Sequence, residues 1–285
     1  MRKTTRRSAV AAAMAGALAV TGLATAEAGQ SGVDRPSQGP ARSSSLLLDI
    51  DYANGSLDSG IPDLTTTHAT AADASYVVGS GTDHAVAHKV TLGDPGYVSD
   101  GAPRSESATN DVPGGRIHVG DEHRYEFSVL LKDWKTYEAG DSESGDIIFQ
   151  GKHAGGNLPS FYLMTKRNSI AFRSPTLDLQ AGVVDDFRPY LGEWMHFRVD
   201  VGWTDDSTGY YRISTRLPGA SQFTLRQTYE NVRTFHPENP TDFGYLKWGL
   251  YRPSQSLGNG DVPTRVVLHD DIRVLDLRAA RAGRR

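Results

Sequence analysis

The sequence predicts an all-β fold: a sandwich of two packed antiparallel sheets in a single domain. Three observations lead there. No stretch keeps a helical period over any length. Short alternating or apolar runs recur instead, separated by Gly, Pro, Asn and Asp turns. No shift in composition divides those runs into two groups, and 285 residues suit one all-β domain.

The first 28 residues stand apart. "MRKTTRRSAVAAAMAGALAVTGLATAEA" has a basic head, then an apolar run from Ala9 to Leu23 that is too short for a comfortable membrane span. Small residues precede a cut after Ala26 or Ala28. The segment reads as a cleaved export signal, so the chain is expected to be secreted and extracellular. Arg6-Arg7 allows the twin-arginine route, and a general secretory signal fits the same head. Residues 29–45, rich in Gly, Ser and Pro, read as a flexible linker. The domain is expected over residues 46–278, with a basic tail at 279–285.

Within the domain, "LLLDIDY" is the first expected strand, and "RYEFSVLLK" alternates over residues 125–131. "DIIFQ", "SFYLMT" and "SIAFR" are compact strand candidates. "WMHFRVDVGW" puts Met195, Phe197, Val199, Val201 and Trp203 on one face, and "TDDSTG" turns the chain into "YYRISTRL". "YLKWGLYRP" follows. Leu246, Trp248 and Leu250 make an ordinary core face, while Tyr245, Lys247 and Tyr251 point the other way across a gap at Gly249. "TRVVLHDDIRVLDL" is the last strand. His84 and His88 are expected to be loop or edge residues, and His196 to point away from the core face of its strand.

The absence of cysteine removes disulfides, zinc–thiolate sites, iron–sulfur clusters and cysteine nucleophiles together. The net charge is −4; residues 1–28 hold four basic residues and one acid, which leaves −7 for the rest. A globally acidic chain lacks the basic face of a nucleic-acid binder, so an anionic ligand would need a local basic patch.

Three polar clusters lie within or beside expected strands: Arg104 and Glu106 in "RSE"; Gln150, Lys152 and His153 in "FQGKH"; and Lys247 with Tyr251. Singly, each has a bland reading as a solvated ion pair or a strand rim. Together with "GEWMHFRVDVGWTDDSTGYYRIS" and "YLKWGLYRP", they make residues 103–253 resemble the secreted polysaccharide lyases of the heparin lyase-like and glucuronan lyase-like type. The Tyr-x-Lys-x-Gly-x-Tyr-Arg strand is the most specific of these motifs.

The resemblance implies a concanavalin-like β-jelly-roll and β-elimination on a uronic-acid polysaccharide. Such an enzyme neutralises the sugar carboxylate, removes the proton on carbon 5 and expels the 4-linked oxygen. Arg104 and Gln150 suit the carboxylate, as bidentate cation and neutral donor. His153 is a plausible base, since an ordinary histidine titrates near 6.5. Tyr251 is the expected acid, or acid and base in turn. A tyrosine's ordinary pKa of about 10 is high for a base, so that role calls for a nearby cation, and Lys247 is the expected one. Lys247 could instead hold a neighbouring sugar's carboxylate, and Gly249 would let the ring lie against the backbone. Lys152, Glu106, Tyr245 and Arg252 are expected substrate contacts.

Relatives commonly place His two residues after the Gln, but here it follows by three. Strict alternation therefore puts Lys152 in the groove and turns His153 out, unless a bulge at Gly151 restores His153. No cofactor is required. A structural calcium, found in related sandwiches, would take oxygens from Asp49, Asp51, Asp270 or Asp271.

The expected partner is an anionic polysaccharide, with no nucleic acid, no membrane after signal cleavage, and a monomeric protein. A glycoside hydrolase would need two carboxylates on one strand face, and a serine hydrolase its Gly-x-Ser-x-Gly elbow; neither occurs. The alternative is a non-catalytic, lectin-like protein using the same groove. The charge of −7 disfavours densely sulfated chains and favours a plain polyuronate.

Overall fold

The computed structural model describes residues 45–154, 158–239 and 241–278. The expected signal, nearly all of the linker and the basic tail fall outside them. Fifteen strands run in chain order: β1 (Ser45–Ile50), β2 (Ser75–Ser80), β3 (Asp83–Thr91), β4 (Val98–Ser99), β5 (Ala102–Ala108), β6 (Glu122–Lys132), β7 (Ile147–His153), β8 (Phe161–Lys166), β9 (Ser169–Ser174), β10 (Leu179–Val184), β11 (Met195–Gly202), β12 (Gly209–Arg216), β13 (Thr224–Val232), β14 (Gly244–Tyr251) and β15 (Thr264–Asp276). Among the described residues the only helices are short 3-10 turns, and no helix is long and apolar enough to cross a membrane.

All pairings are antiparallel. One sheet has the order β13-β12-β11-β6-β15-β3-β2, with β1 also on β15; the other has β10-β9-β8-β7-β14-β5-β4. The architecture is the expected all-β sandwich of jelly-roll type. β15 is long enough to change partners. It pairs β3 over its first half and β1 over its second, with a break beside Asp271, whose φ is 53°. A residue in the left-handed region is what a strand needs to kink and re-aim there.

The core is aromatic. Phe127 stacks on Phe149 at 3.7 Å between ring centroids, and Phe161, Phe172, Trp203 and Tyr211 continue the layer. Each such side chain contributes about 1.5–3 kcal/mol by leaving water. Their polar atoms are satisfied internally: Trp203 donates to the Tyr125 hydroxyl at 2.7 Å, and Trp248 to the Tyr52 hydroxyl at 3.0 Å. Leu246, Trp248 and Leu250 are fully buried, as the alternation of β14 requires.

The strands that sequence reading passed over are β2, β3, β4, β10 and β13. β3 corrects the reading of His84 and His88, because it lies between β15 and β2, and His88 is fully buried. The histidine bonds the Ser107 hydroxyl at 3.0 Å, and burial drives its pKa down to about 3, so it packs as a neutral ring.

Candidate active-site groove

β14 lies between β7 and β5 in the seven-stranded sheet, and register decides which side chains share its non-core face. In an antiparallel pair, residues directly opposite each other project to the same side. Lys247 is opposite Gln150, Tyr245 opposite Lys152, and Tyr251 opposite Arg104. These pairings assemble a groove of about 430 Å³, open to solvent, lined by Arg104, Gln150, Lys152, Tyr162, Lys247 and Tyr251, with Leu158 and prolines at its rim.

At its floor is a buried carboxylate. Glu106 is 4% exposed and accepts from Lys247 Nζ at 2.6 Å and from Gln150 Nε2 at 2.6 Å. Arg104 Nη1 lies 4.0 Å from the same carboxylate and donates to the exposed Asp100 at 3.4 Å. Glu106 is thus less a substrate contact than the group that fixes Lys247 and Gln150. A charge buried this deeply persists only when paired and hydrogen-bonded.

The cation beside Tyr251 is Arg104, not Lys247: its guanidinium lies 4.1 Å from the centre of the phenol ring. Lys152 is half-buried on the groove face. Burial lowers its pKa, and repulsion from Lys247 and Arg104 lowers it further. Tyr245 shares that face but stands outside the groove lining; burial raises its pKa, with the negative charge of Glu106 adding to the effect.

Tyr162 went unrecognised in the sequence. It lies opposite Gln150, and burial raises its pKa while Arg173, opposite it on β9, works the other way. The available signal was its parity in "SFYLMT", where Phe161 and Leu163 occupy the core face.

Three further expectations are corrected. The register from Gly244↔His153 to Trp248↔Phe149 is unbroken, so no bulge forms at Gly151. His153 therefore turns beneath the sheet, 3% exposed, against the Ser160 hydroxyl at 3.3 Å and the Phe235 ring. Burial, with help from Lys152, takes its pKa down to about 4, and it does not line the groove. The second concerns Gly249, which leaves no gap for a sugar ring. Its φ is 141°, and a Cβ there would meet Ser105 O at 2.3 Å, so the glycine admits strand β5 instead.

Arg252, the third, is 1% exposed on the opposite side from the groove. It holds Asp146 at 3.0 Å and the carbonyls of Val262 and Pro263. The acids expected to hold calcium each have a partner within the protein. Asp49 and Asp271 both bond Arg273, Asp51 caps its own turn, and Asp270 accepts from the Asp271 N–H. Among the described residues no group of three or more His, Asp or Glu side chains is arranged to hold a metal.

A second, small cavity, about 30 Å³, has Asp146 in its lining. Its carboxylate is already paired with Arg252 and with Arg265 at 3.2 Å, which makes it an internal ion cluster.

Solved structures with the same fold include an endo-β-1,4-glucuronan lyase from the fungus Trichoderma reesei. It is 19% identical, with a TM-score of 0.55 over 81% of this chain and 95% of that one. An alginate lyase from Aplysia kurodai is 12% identical, with a TM-score of 0.55 over 81% of this chain and 99% of its own. No curated protein matches the sequence. The family model for polysaccharide lyases matches residues 52–273, from the turn after β1 to the second half of β15. A match that spans nearly the whole sandwich, groove strands included, makes this chain a member of the polysaccharide lyases.

Proposed function

We propose that this lyase cleaves a uronic-acid-containing polysaccharide by β-elimination, with Tyr251 as the proton carrier. The observation that carries the reading is Arg104 against the Tyr251 ring, in a groove that also presents Lys152 and Lys247.

Elimination needs the carboxylate beside carbon 5 to be neutralised, because a charged carboxylate makes that proton far too weakly acidic. Arg104 and Lys152 supply cations at the groove surface, and Lys247, anchored on Glu106, adds a third. Such groups act best when already in place as charge moves onto the carboxylate in the transition state. The Tyr251 oxygen then takes the carbon 5 proton. The electrons of that C–H bond form the double bond between carbons 4 and 5 as the bond from carbon 4 to the linking oxygen breaks, and the same proton passes to that departing oxygen. The guanidinium beside it attracts the negative charge that develops on the phenol during transfer. His153 has no part in this, since it lies on the other side of the sheet.

Residues 1–28 are inferred to direct export, and the N-terminus of exported protein tests that: a start at residue 27 or 29 supports it, and a start at Met1 overturns it.

The central test mixes purified protein with glucuronan, alginate, heparin, heparan sulfate and hyaluronan, following the ultraviolet absorbance of the unsaturated product. Growth on one polymer is expected, and Tyr251→Phe should lower the rate by roughly 10²–10⁴-fold, the usual worth of a positioned acid–base group. A flat trace on every uronate overturns the uronate reading.

A further inference from the structure

Hydrogen-bond register across the seven-stranded sheet places one side chain from each of five adjacent strands in a single line. Lys247 is opposite Gln150, Gln150 opposite Tyr162, Tyr162 opposite Arg173, and Arg173 opposite Gln180. Direct opposition keeps all five on the groove face, so the line runs across the strands from β14 to β10.

The adjacent line differs in chemistry. Beyond Tyr251 it continues through Ile147, Met164, Ala171 and Gly182, all apolar or small. A polar row beside an apolar one suits a chain of pyranose rings lying across the sheet. Carboxylates and hydroxyls would face the polar row, and the C–H faces would rest on the apolar one.

We propose that Arg173 is a second carboxylate-binding position of the groove, holding a uronate further along the same polysaccharide. The proposal rests on the uronate reading above and adds the direction in which the polymer runs. Arg173 is half-buried, lies directly opposite Tyr162, and has no acid within salt-bridge distance among the described residues. It stands two strands from Gln150, about 10 Å at ordinary strand spacing. Linked sugar rings bridge that gap, so a carboxylate at Arg173 belongs to another residue of the polymer and not to the sugar at Tyr251. A half-buried guanidinium beside a tyrosine on the groove face is well placed for bidentate capture of a carboxylate.

The test compares wild type with Arg173→Gln, which keeps polarity while removing the charge. Arg198→Ala, on the far face of the other sheet, serves as the control. KM for product formation and Kd by calorimetry are measured on each polyuronate, as the long polymer and as the disaccharide. Thermal melts confirm that all three proteins fold.

The proposal expects Arg173→Gln to weaken the long polymer roughly tenfold more than the disaccharide, the effect of one charge-assisted contact. Equal effects on both lengths overturn the Arg173 position and leave the uronate reading standing. Wild-type binding that depends on Arg173 and on length, without product, keeps the position and overturns the elimination chemistry. No binding and no product on any polyuronate overturns both.

Discussion

On the outer face of the eight-stranded sheet, Arg124 lies opposite Asp200 at 2.7 Å, Arg198 opposite Glu126 at 2.7 Å, and Arg273 beside Asp49 at 2.9 Å. On the groove face of the other sheet, Lys247 and Arg104 are set against Glu106, Lys152 and Arg173 share the face, and Asp100 is exposed at the rim. Both faces use the same residue types on the same kind of strand. The outer face settles its charges strand by strand and asks nothing of a ligand. The groove buries its acid beneath its cations, leaving a positive surface on a chain that is acidic overall. Arrangement, more than composition, separates a solvated face from a binding one.

The largest effect that would sharpen this contrast comes from Lys247→Ala. It strands the Glu106 carboxylate in the interior, and the expected cost is about 3–5 kcal/mol in a denaturant titration. Replacing both partners, as Glu106→Gln with Lys247→Met, should recover most of that stability without recovering turnover. If the single variant is as stable as wild type, Glu106 is not the buried anchor described here.

Acid comes next. His88, held down to about 3, and His153, at about 4, are neutral in the fold but take a proton near 6.5 when unfolded. Their contribution is therefore complete above pH 6.5 and lost as the pH falls toward those values. Each such group contributes at most about 1.4 kcal/mol per pH unit. Asp270 works in the opposite sense. Burial and its acidic neighbours raise it to about 7, so it favours the fold as it protonates. With the histidines dominant, the denaturation midpoint should drop between about pH 7 and pH 4.5; a midpoint that rises over that range would assign control to Asp270.

The smallest effect belongs to the outer face. Arg198→Ala should cost about 0.2–1 kcal/mol, as exposed pairs do, and leave turnover unchanged. A large loss of activity there would break the contrast outright.

Much of this was legible in the sequence because strand parity is a local property. Alternation in β6, β11 and β14 is visible in single runs, and the same parity rule put Lys152 ahead of His153 for the groove. β10 and β13 were hidden because edge strands carry little apolar signal: "TLRQTYENV" has scarcely a core face. β3 was hidden by its two histidines, which read as polar until burial makes His88 a neutral packing group.

Arg252 follows the motif's tyrosine and looks like its companion, yet one step along a strand changes the face. Register between strands is not written in any one of them. Glu106 beneath Lys247, and Arg173 in line with Tyr162, emerge only when distant segments are laid side by side.

The two-part pairing of β15 has a consequence for how the molecule is made. β15 stands between β6 and β3 and also receives β1, so the middle of its sheet is empty until residues 264–276 exist. A nascent chain lacking them holds β1, β3 and β6 with unpaired edges, and closing the sheet joins segments more than 200 residues apart. Such non-local pairing folds on the millisecond-to-second scale rather than in microseconds. Completion of the sheet therefore waits for β15, and the interval before it is when exposed edges are open to aggregation.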